Sequence, residues 1–194
     1  MEELPPGFRF LPTDEQLVGV CLYENVTGTL PPSHGFLIKH HDLYGQEEPW
    51  EIWERFWTGG PFFEDLYFFT ILKKKSANGS RVDRRTGSTA GYWHRVNSGT
   101  KIEVDDYVKE EYSASKKTFV YRNPTSDEHD VWRMDEYSLE LEGKRSENGD
   151  CVLCSLRKIG AGDSLYSLSG ESADCDCAHC RWRRRQEFSD DEDD

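Results

Sequence analysis

The apolar positions change period partway along the chain. Leu17, Val18, Cys21 and Leu22 repeat at helical spacing and give one apolar stripe. Just ahead of them, Thr13 with Gln16 three residues on forms a capping box, and Asp14 and Glu15 suit the positive end of the helix dipole. Gly28 can close this helix. Before it, Pro5-Pro6-Gly7-Phe8-Arg9-Phe10 reads as an extended arm with two aromatic anchors. A second, shorter helix is predicted over Pro49–Phe56, with Trp50, Trp53 and Phe56 on one side, and Gly59-Gly60-Pro61 then breaks the chain. From there the pattern is mostly that of strands. Residues 66–72 form a buried-type run, 117–121 and 131–139 alternate or are rich in aromatics, and 151–156 follow a turn at Asn148-Gly149. Strands recurring with turns, and no long helix among them, predict an α+β domain: a twisted antiparallel β-sheet flanked by a few short helices gathered at one end. No internal repeat is present. After Ile159-Gly160 the alternation stops, so residues 1–160 read as one domain and 161–194 as a disordered acidic tail with a basic cluster.

Charge changes the picture. The 194 residues carry a formal net charge of −13, yet residues 70–101 hold eight cations (Lys73, Lys74, Lys75, Arg81, Arg84, Arg85, Arg95, Lys101) against Asp83 alone, a local +7. The stretches before and after carry −9 and −11. A positive band this concentrated points to a polyanionic partner, because repulsion among like charges must be offset. The bland alternative is a solvated basic loop. Turn formers at Asn78-Gly79 and Thr86-Gly87-Ser88, then the strand-like Gly91-Tyr92-Trp93, favour cations presented from turns beside a sheet. The acidic N-terminus has no apolar core of a secretory signal, and no run approaches the roughly 18 apolar residues of a membrane span. The expectation is a protein of the cytosol or nucleus, without a membrane partner, whose six cysteines are thiols.

Leu4-Pro5-Pro6-Gly7-Phe8-Arg9-Phe10-Leu11-Pro12-Thr13-Asp14-Glu15 resembles the opening motif of the plant NAC-domain transcription factors. Four further blocks follow in the family's order. They are Asp42-Leu43-Tyr44 with Glu48-Pro49-Trp50; Tyr67-Phe68-Phe69, then Asn78-Gly79-Ser80-Arg81 to Gly91-Tyr92-Trp93; Lys116-Lys117-Thr118-Phe119-Val120-Tyr121, then Trp132-Arg133-Met134-Asp135-Glu136-Tyr137; and Val152-Leu153-Cys154. The resemblance spans residues 4–159. It implies a twisted antiparallel sheet flanked by helices, dimerisation through the N-terminal arm as a homodimer or with other NAC-domain proteins, binding of double-stranded DNA, and a place in the nucleus.

The departures matter as much. Where the family usually has Lys-Ala-Thr-Gly after Gly-Tyr-Trp, on the strand that enters the major groove, this chain has His94-Arg95-Val96-Asn97, and Thr89-Ala90 resembles a two-residue insertion. The family's phosphate-contacting cations match at Lys75, Arg81 and Arg84, with Arg85 and Lys101 adding to the band. At the dimer arm Arg9 matches the family's arginine, but Gln16 stands in place of its glutamate, and a bond between them lacks opposite charge.

Arginine can hold guanine and asparagine adenine through paired hydrogen bonds, so Arg95 and Asn97, with His94 beside them and Val96 toward a thymine methyl, are candidate base readers. Trp93 reads as core support. Cys151 and Cys154 have zinc-like spacing, but at i and i+3 of a strand they point to opposite faces. Cys175, Cys177, His179 and Cys180 supply enough ligands for a tetrahedral site, at tight spacing and with no core around them, and read as tail thiols. No metal or cofactor is expected. His40-His41-Asp42 hints at a base with its orienting carboxylate, but no nucleophile motif accompanies it, so neither an enzyme nor a small-molecule substrate is expected. Arg181 to Arg185 is a candidate import signal, and Ser189 ahead of the terminal acids a candidate phosphorylation site. Two readings stay open: a dimeric, sequence-specific DNA-binding regulator, or a related interaction protein that binds DNA poorly and titrates family members as heterodimers.

Overall fold

The computed structural model describes residues 10–31, 37–57, 65–76, 81–87, 90–103, 112–141 and 150–159. Arg9, Thr89 and everything from residue 160 onward, including Cys175, Cys177, His179, Cys180, Arg181 to Arg185 and Ser189, lie outside them.

The capping box forms as its residues predict. Gln16 donates its N–H to the Thr13 hydroxyl (3.3 Å), and Thr13 donates its own to Gln16 Oε1 (3.0 Å). The helix it opens, α1, is α-helical over Asp14–Gln16, π-helical over Leu17–Leu22 and α-helical again over Tyr23–Thr27. In the π segment Tyr23 donates to the carbonyl of Val18, five residues back. The wider turn keeps both apolar pairs, Leu17 with Val18 and Cys21 with Leu22, on the sheet, and all four are buried. Gly28 ends the helix at φ 75°, a left-handed conformation that costs a residue with a side chain. Helix α2, Pro49–Phe56, starts on proline, whose missing N–H is not needed there, and Glu51 takes the N–H of Glu48 (2.8 Å).

The strands are β1 (Ile38–His40), β2 (Leu66–Ile71), β3 (Lys73–Lys74), β4 (Val82–Asp83), β5 (Tyr92–Arg95), β6 (Thr100–Ile102), β7 (Tyr112–Arg122), β8 (Trp132–Leu141) and β9 (Cys151–Lys158). Seven make one sheet in the order β1-β2-β9-β8-β7-β5, with β6 also on β7, while β3 and β4 form a separate hairpin.

The α+β architecture is as expected, and one pairing in the sheet differs. The sheet is mixed rather than purely antiparallel, because β1 runs parallel to β2, with Ile38 opposite Tyr67. Three residues are too short a run to announce a strand. The helices cover opposite faces of the sheet. Along β2, Tyr67 and Phe69 join α1 in one cluster, whereas Leu66 and Phe68 join Ile52 of α2 in the other. A sheet apolar on both faces must be covered on both.

Cys151 lies in the first cluster and Cys154 in the second, so the two thiols do diverge. Burial pushes the Cys21 and Cys151 thiols up to about 11 and Cys154 well above its ordinary value. All three are therefore expected to resist iodoacetamide at pH 8 in the native chain and to react fully once it is unfolded. Peptide mapping before and after denaturant checks this, and labelling of native Cys154 would contradict the burial.

Candidate nucleic-acid interface

The band of eight cations is divided by its carboxylate partners. Lys73 pairs with Asp42 and also donates to the Tyr44 carbonyl (3.1 Å). Lys74 pairs with Asp150 (2.8 Å) and Arg85 with Asp83 (2.5 Å). The Arg85 hydrogen bond holds the Asp83 carboxyl down at about 2, so that pair stays ionised at any working pH. Lys75, Arg81, Arg95 and Lys101 are exposed and have no carboxylate at ion-pair distance among the described residues. These four are the cations left for a partner.

Arg84, matched to a phosphate contact, is engaged inside the protein. Its guanidinium grips the fully buried Glu136 through both oxygens (2.9 and 3.1 Å) and stacks 4.7 Å above the Phe119 ring, and the Tyr44 hydroxyl donates to the same carboxylate (2.5 Å). A buried carboxylate needs its cation, so Arg84 serves the core.

Strand β5 carries the expected base readers at the edge of the sheet. Its first half is covered by the chain just before it: Trp93 donates to the Arg84 carbonyl (2.9 Å), Thr86 to Gly91 (3.0 Å), and Arg85 bridges to Tyr92. His94 and Arg95 lie beyond that cover and form an open edge among the described residues. Trp93 is core support as expected, 4% exposed and edge-on to Tyr121. His94 points to the opposite face. Partial burial, aided by the charge of Arg122, lowers its pKa, so at pH 7 it presents a neutral imidazole that can both donate and accept.

Asn97, expected to read bases, is engaged with the sheet as well. Its Oδ1 accepts the Thr118 N–H (3.0 Å) and its amide donates to the Thr118 hydroxyl (3.3 Å), while Val96, half-buried, donates to the Thr118 carbonyl (2.9 Å). The Asn97 side chain thus stands in for backbone where the edge bends from β5 to β6, with Gly99 at φ 99° completing the bend. It shapes the edge and is spent on β7. Asn97→Ala would leave the Thr118 N–H unpaired and is expected to cost about 1–3 kcal/mol of stability. Urea denaturation checks it, and a loss of site preference with full stability would instead make Asn97 a base contact.

The loop before β5 is pinned by a buried carboxylate. Glu48 accepts from the Tyr121 hydroxyl (2.6 Å) and from Thr86 Oγ1 (3.0 Å). The loop lies so close that a Cβ on Gly87 would sit 1.9 Å from Glu48 Oε1 and one on Gly91 2.4 Å from the Tyr121 hydroxyl. Only glycine fits at either place. The sequence reading missed this anchor, and also missed Lys117. Strand β7 brings Lys117 over the β5–β6 bend, its Cγ 3.4 Å from where a Gly99 Cβ would be, and it makes no ion pair among the described residues.

A mixed sheet covered on both faces, with exposed cations on a separate hairpin and at the β5–β6 edge of an otherwise acidic chain, defines an α+β domain. The family model of the No apical meristem (NAM) protein matches residues 5–139. NAC domain-containing protein 101 of Arabidopsis thaliana is 36% identical over 163 residues, 81% of this chain and 44% of that protein. NAC domain-containing protein 7 of the same plant is 35% identical over 176 residues, 84% of this chain and 42% of that one. NAC transcription factor ONAC010 of Oryza sativa subsp. indica is 35% identical over 138 residues, 71% of this chain and 31% of its own length. The chain belongs to the plant NAC family. It spans less than half the length of these three relatives.

Proposed function

We propose that the chain is a nuclear transcriptional regulator that binds specific double-stranded DNA as a dimer. The observation that carries this is the set of cations without carboxylate partners among the described residues, the exposed Lys75, Arg81, Arg95 and Lys101 and the half-buried Lys117, in a chain of net charge −13. Lys75 and Arg81 on the β3–β4 hairpin, with Lys101 and Lys117, contact phosphates. Arg95 and His94 on the open edge meet base edges, and Val96 supports them. Arg85, paired with Asp83 but 75% exposed, can exchange that carboxylate for a phosphate. The family membership supports the reading, as does a relative named as a transcription factor. Nuclear import would use the Arg181 to Arg185 cluster. Selection from a randomised duplex pool by gel shift tests it. Enrichment of one sequence is the expected result, and no retained duplex at about 50 mM salt would remove the reading.

One observation favours the second reading, in which the chain titrates family members. Asn97 is committed to Thr118, which leaves fewer side chains for bases.

Dimerisation is assigned to Arg9 and Gln16. Gln16 is exposed and its Oε1 already serves the capping box, so only its amide N–H groups remain for a partner. Gln16→Glu keeps the box, since glutamate caps equally well. It is expected to tighten the homodimer by about 0.2–1 kcal/mol for each exposed pair with Arg9. Sedimentation over a dilution series checks this, and an unchanged equilibrium would place the dimer contacts elsewhere.

A further inference from the structure

Among the described residues only two serines are exposed, Ser76 and Ser98, and both lie within the cationic band. Each follows cations in the arrangement that basophilic serine/threonine kinases select, with Lys73 and Lys74 ahead of Ser76 and Arg95 three residues before Ser98. The structure separates them. The Lys73 and Lys74 ammonium groups are occupied by Asp42 and Asp150, whereas Arg95 is exposed and has no carboxylate partner among the described residues. Ser98 sits in the turn between β5 and β6, and its hydroxyl makes no hydrogen bond to a described residue. Gly99 beside it is at φ 99° and Lys117 lies against the same turn.

We propose that Ser98 is a phosphorylation site for an arginine-directed serine/threonine kinase, and that its phosphate switches off duplex binding. The switch, though not the site, rests on the DNA reading above. In the transfer the Ser98 Oγ attacks the γ-phosphorus of ATP. The new Oγ–P bond forms as the bond to the bridging oxygen breaks, ADP leaves with that electron pair, and the hydroxyl proton passes to the kinase's catalytic base. The product adds about −1.5 to −2 charges and three strong acceptors to an edge whose nearest free cations in sequence and across the turn are Arg95, Lys101 and Lys117. The phosphate draws these cations into internal pairs and repels DNA phosphate at the same place.

The test treats the full chain with Mg-ATP and a kinase that selects arginine at that position, maps the phosphate by mass spectrometry, and measures duplex binding of both forms over a salt series. The expected results are phosphate on Ser98, no incorporation there in Ser98→Ala, and binding by Ser98→Ala equal to that of the unmodified chain. The phosphorylated chain should bind at least about tenfold more weakly at 0.1 M salt, with a log–log slope shallower by about 1.8, the loss of two phosphate contacts. Thermal stability should be unchanged. No phosphate on Ser98 overturns the site, and a phosphorylated chain that binds as tightly as the unmodified one overturns the switch. An unmodified chain that binds no duplex overturns the DNA reading and the switch with it, while the mass spectrum still decides the site.

Discussion

Replacing Arg84 by alanine is expected to lower the unfolding free energy by about 3–5 kcal/mol, because it strands a buried charge. Glu136 is fully buried, and Arg84 is the cation that meets both its oxygens. With the guanidinium gone, the Tyr44 hydroxyl is the main donor left to that carboxylate. The stack on Phe119 is lost as well. Replacing both partners together, Arg84→Met with Glu136→Leu, removes charge and counter-charge at once and should recover most of the loss. Denaturant midpoints of the wild type, both single variants and the double variant complete the cycle. A loss under about 1 kcal/mol for Arg84→Ala, joined to weaker DNA binding, would return Arg84 to the phosphate-contacting set.

Duplex binding is expected to follow the free cations rather than the eight in the sequence. Four of them per protomer, Lys75, Arg81, Lys101 and Lys117, are the phosphate contacts and give a log–log salt slope of about −3.6 for each protomer bound, at about −0.9 per contact. Eight would give about −7.2. On the first figure, raising salt from 50 to 200 mM should weaken binding roughly 150-fold per protomer. Changing Lys75, Arg81, Arg95 and Lys101 together to glutamine should flatten the slope to about −0.9 while the fold survives, since none of the four holds a described carboxylate. A wild-type slope near the larger figure would mean that Lys73, Lys74, Arg84 and Arg85 exchange their partners for phosphates on binding. Unchanged binding by the fourfold variant would place the polyanion on another surface.

Much of the scaffold was legible because local chemistry decides it. Thr13 and Gln16 are three residues apart and can only cap the helix that follows them, and Gly28 closes it without a steric penalty. The apolar runs of β2, β7, β8 and β9 are long enough for their period to show. The divergent Cys151 and Cys154 followed from strand alternation alone, which has a fixed period of two. Beyond that range the sequence is silent. The parallel pairing of β1 rests on three residues, and the placing of helices on both faces rests on how the chain returns across the sheet.

The sorting of the cations was decided by tertiary structure. In sequence Lys73, Arg84 and Arg95 are equivalent positive charges in one band. In the fold Lys73 meets Asp42 from 31 residues away, Arg84 meets Glu136 from 52 residues away, and Arg95 meets no described carboxylate. Asn97 carried a side chain suited to adenine until β7 placed Thr118 against it, 21 residues on. Composition and spacing by themselves determined that a positive band exists and that turns beside a sheet present it. Which charges stay free depends on carboxylates that only chain folding brings within hydrogen-bonding range, since a cation's availability is set by its nearest counter-charge in space and not by its neighbours in the chain.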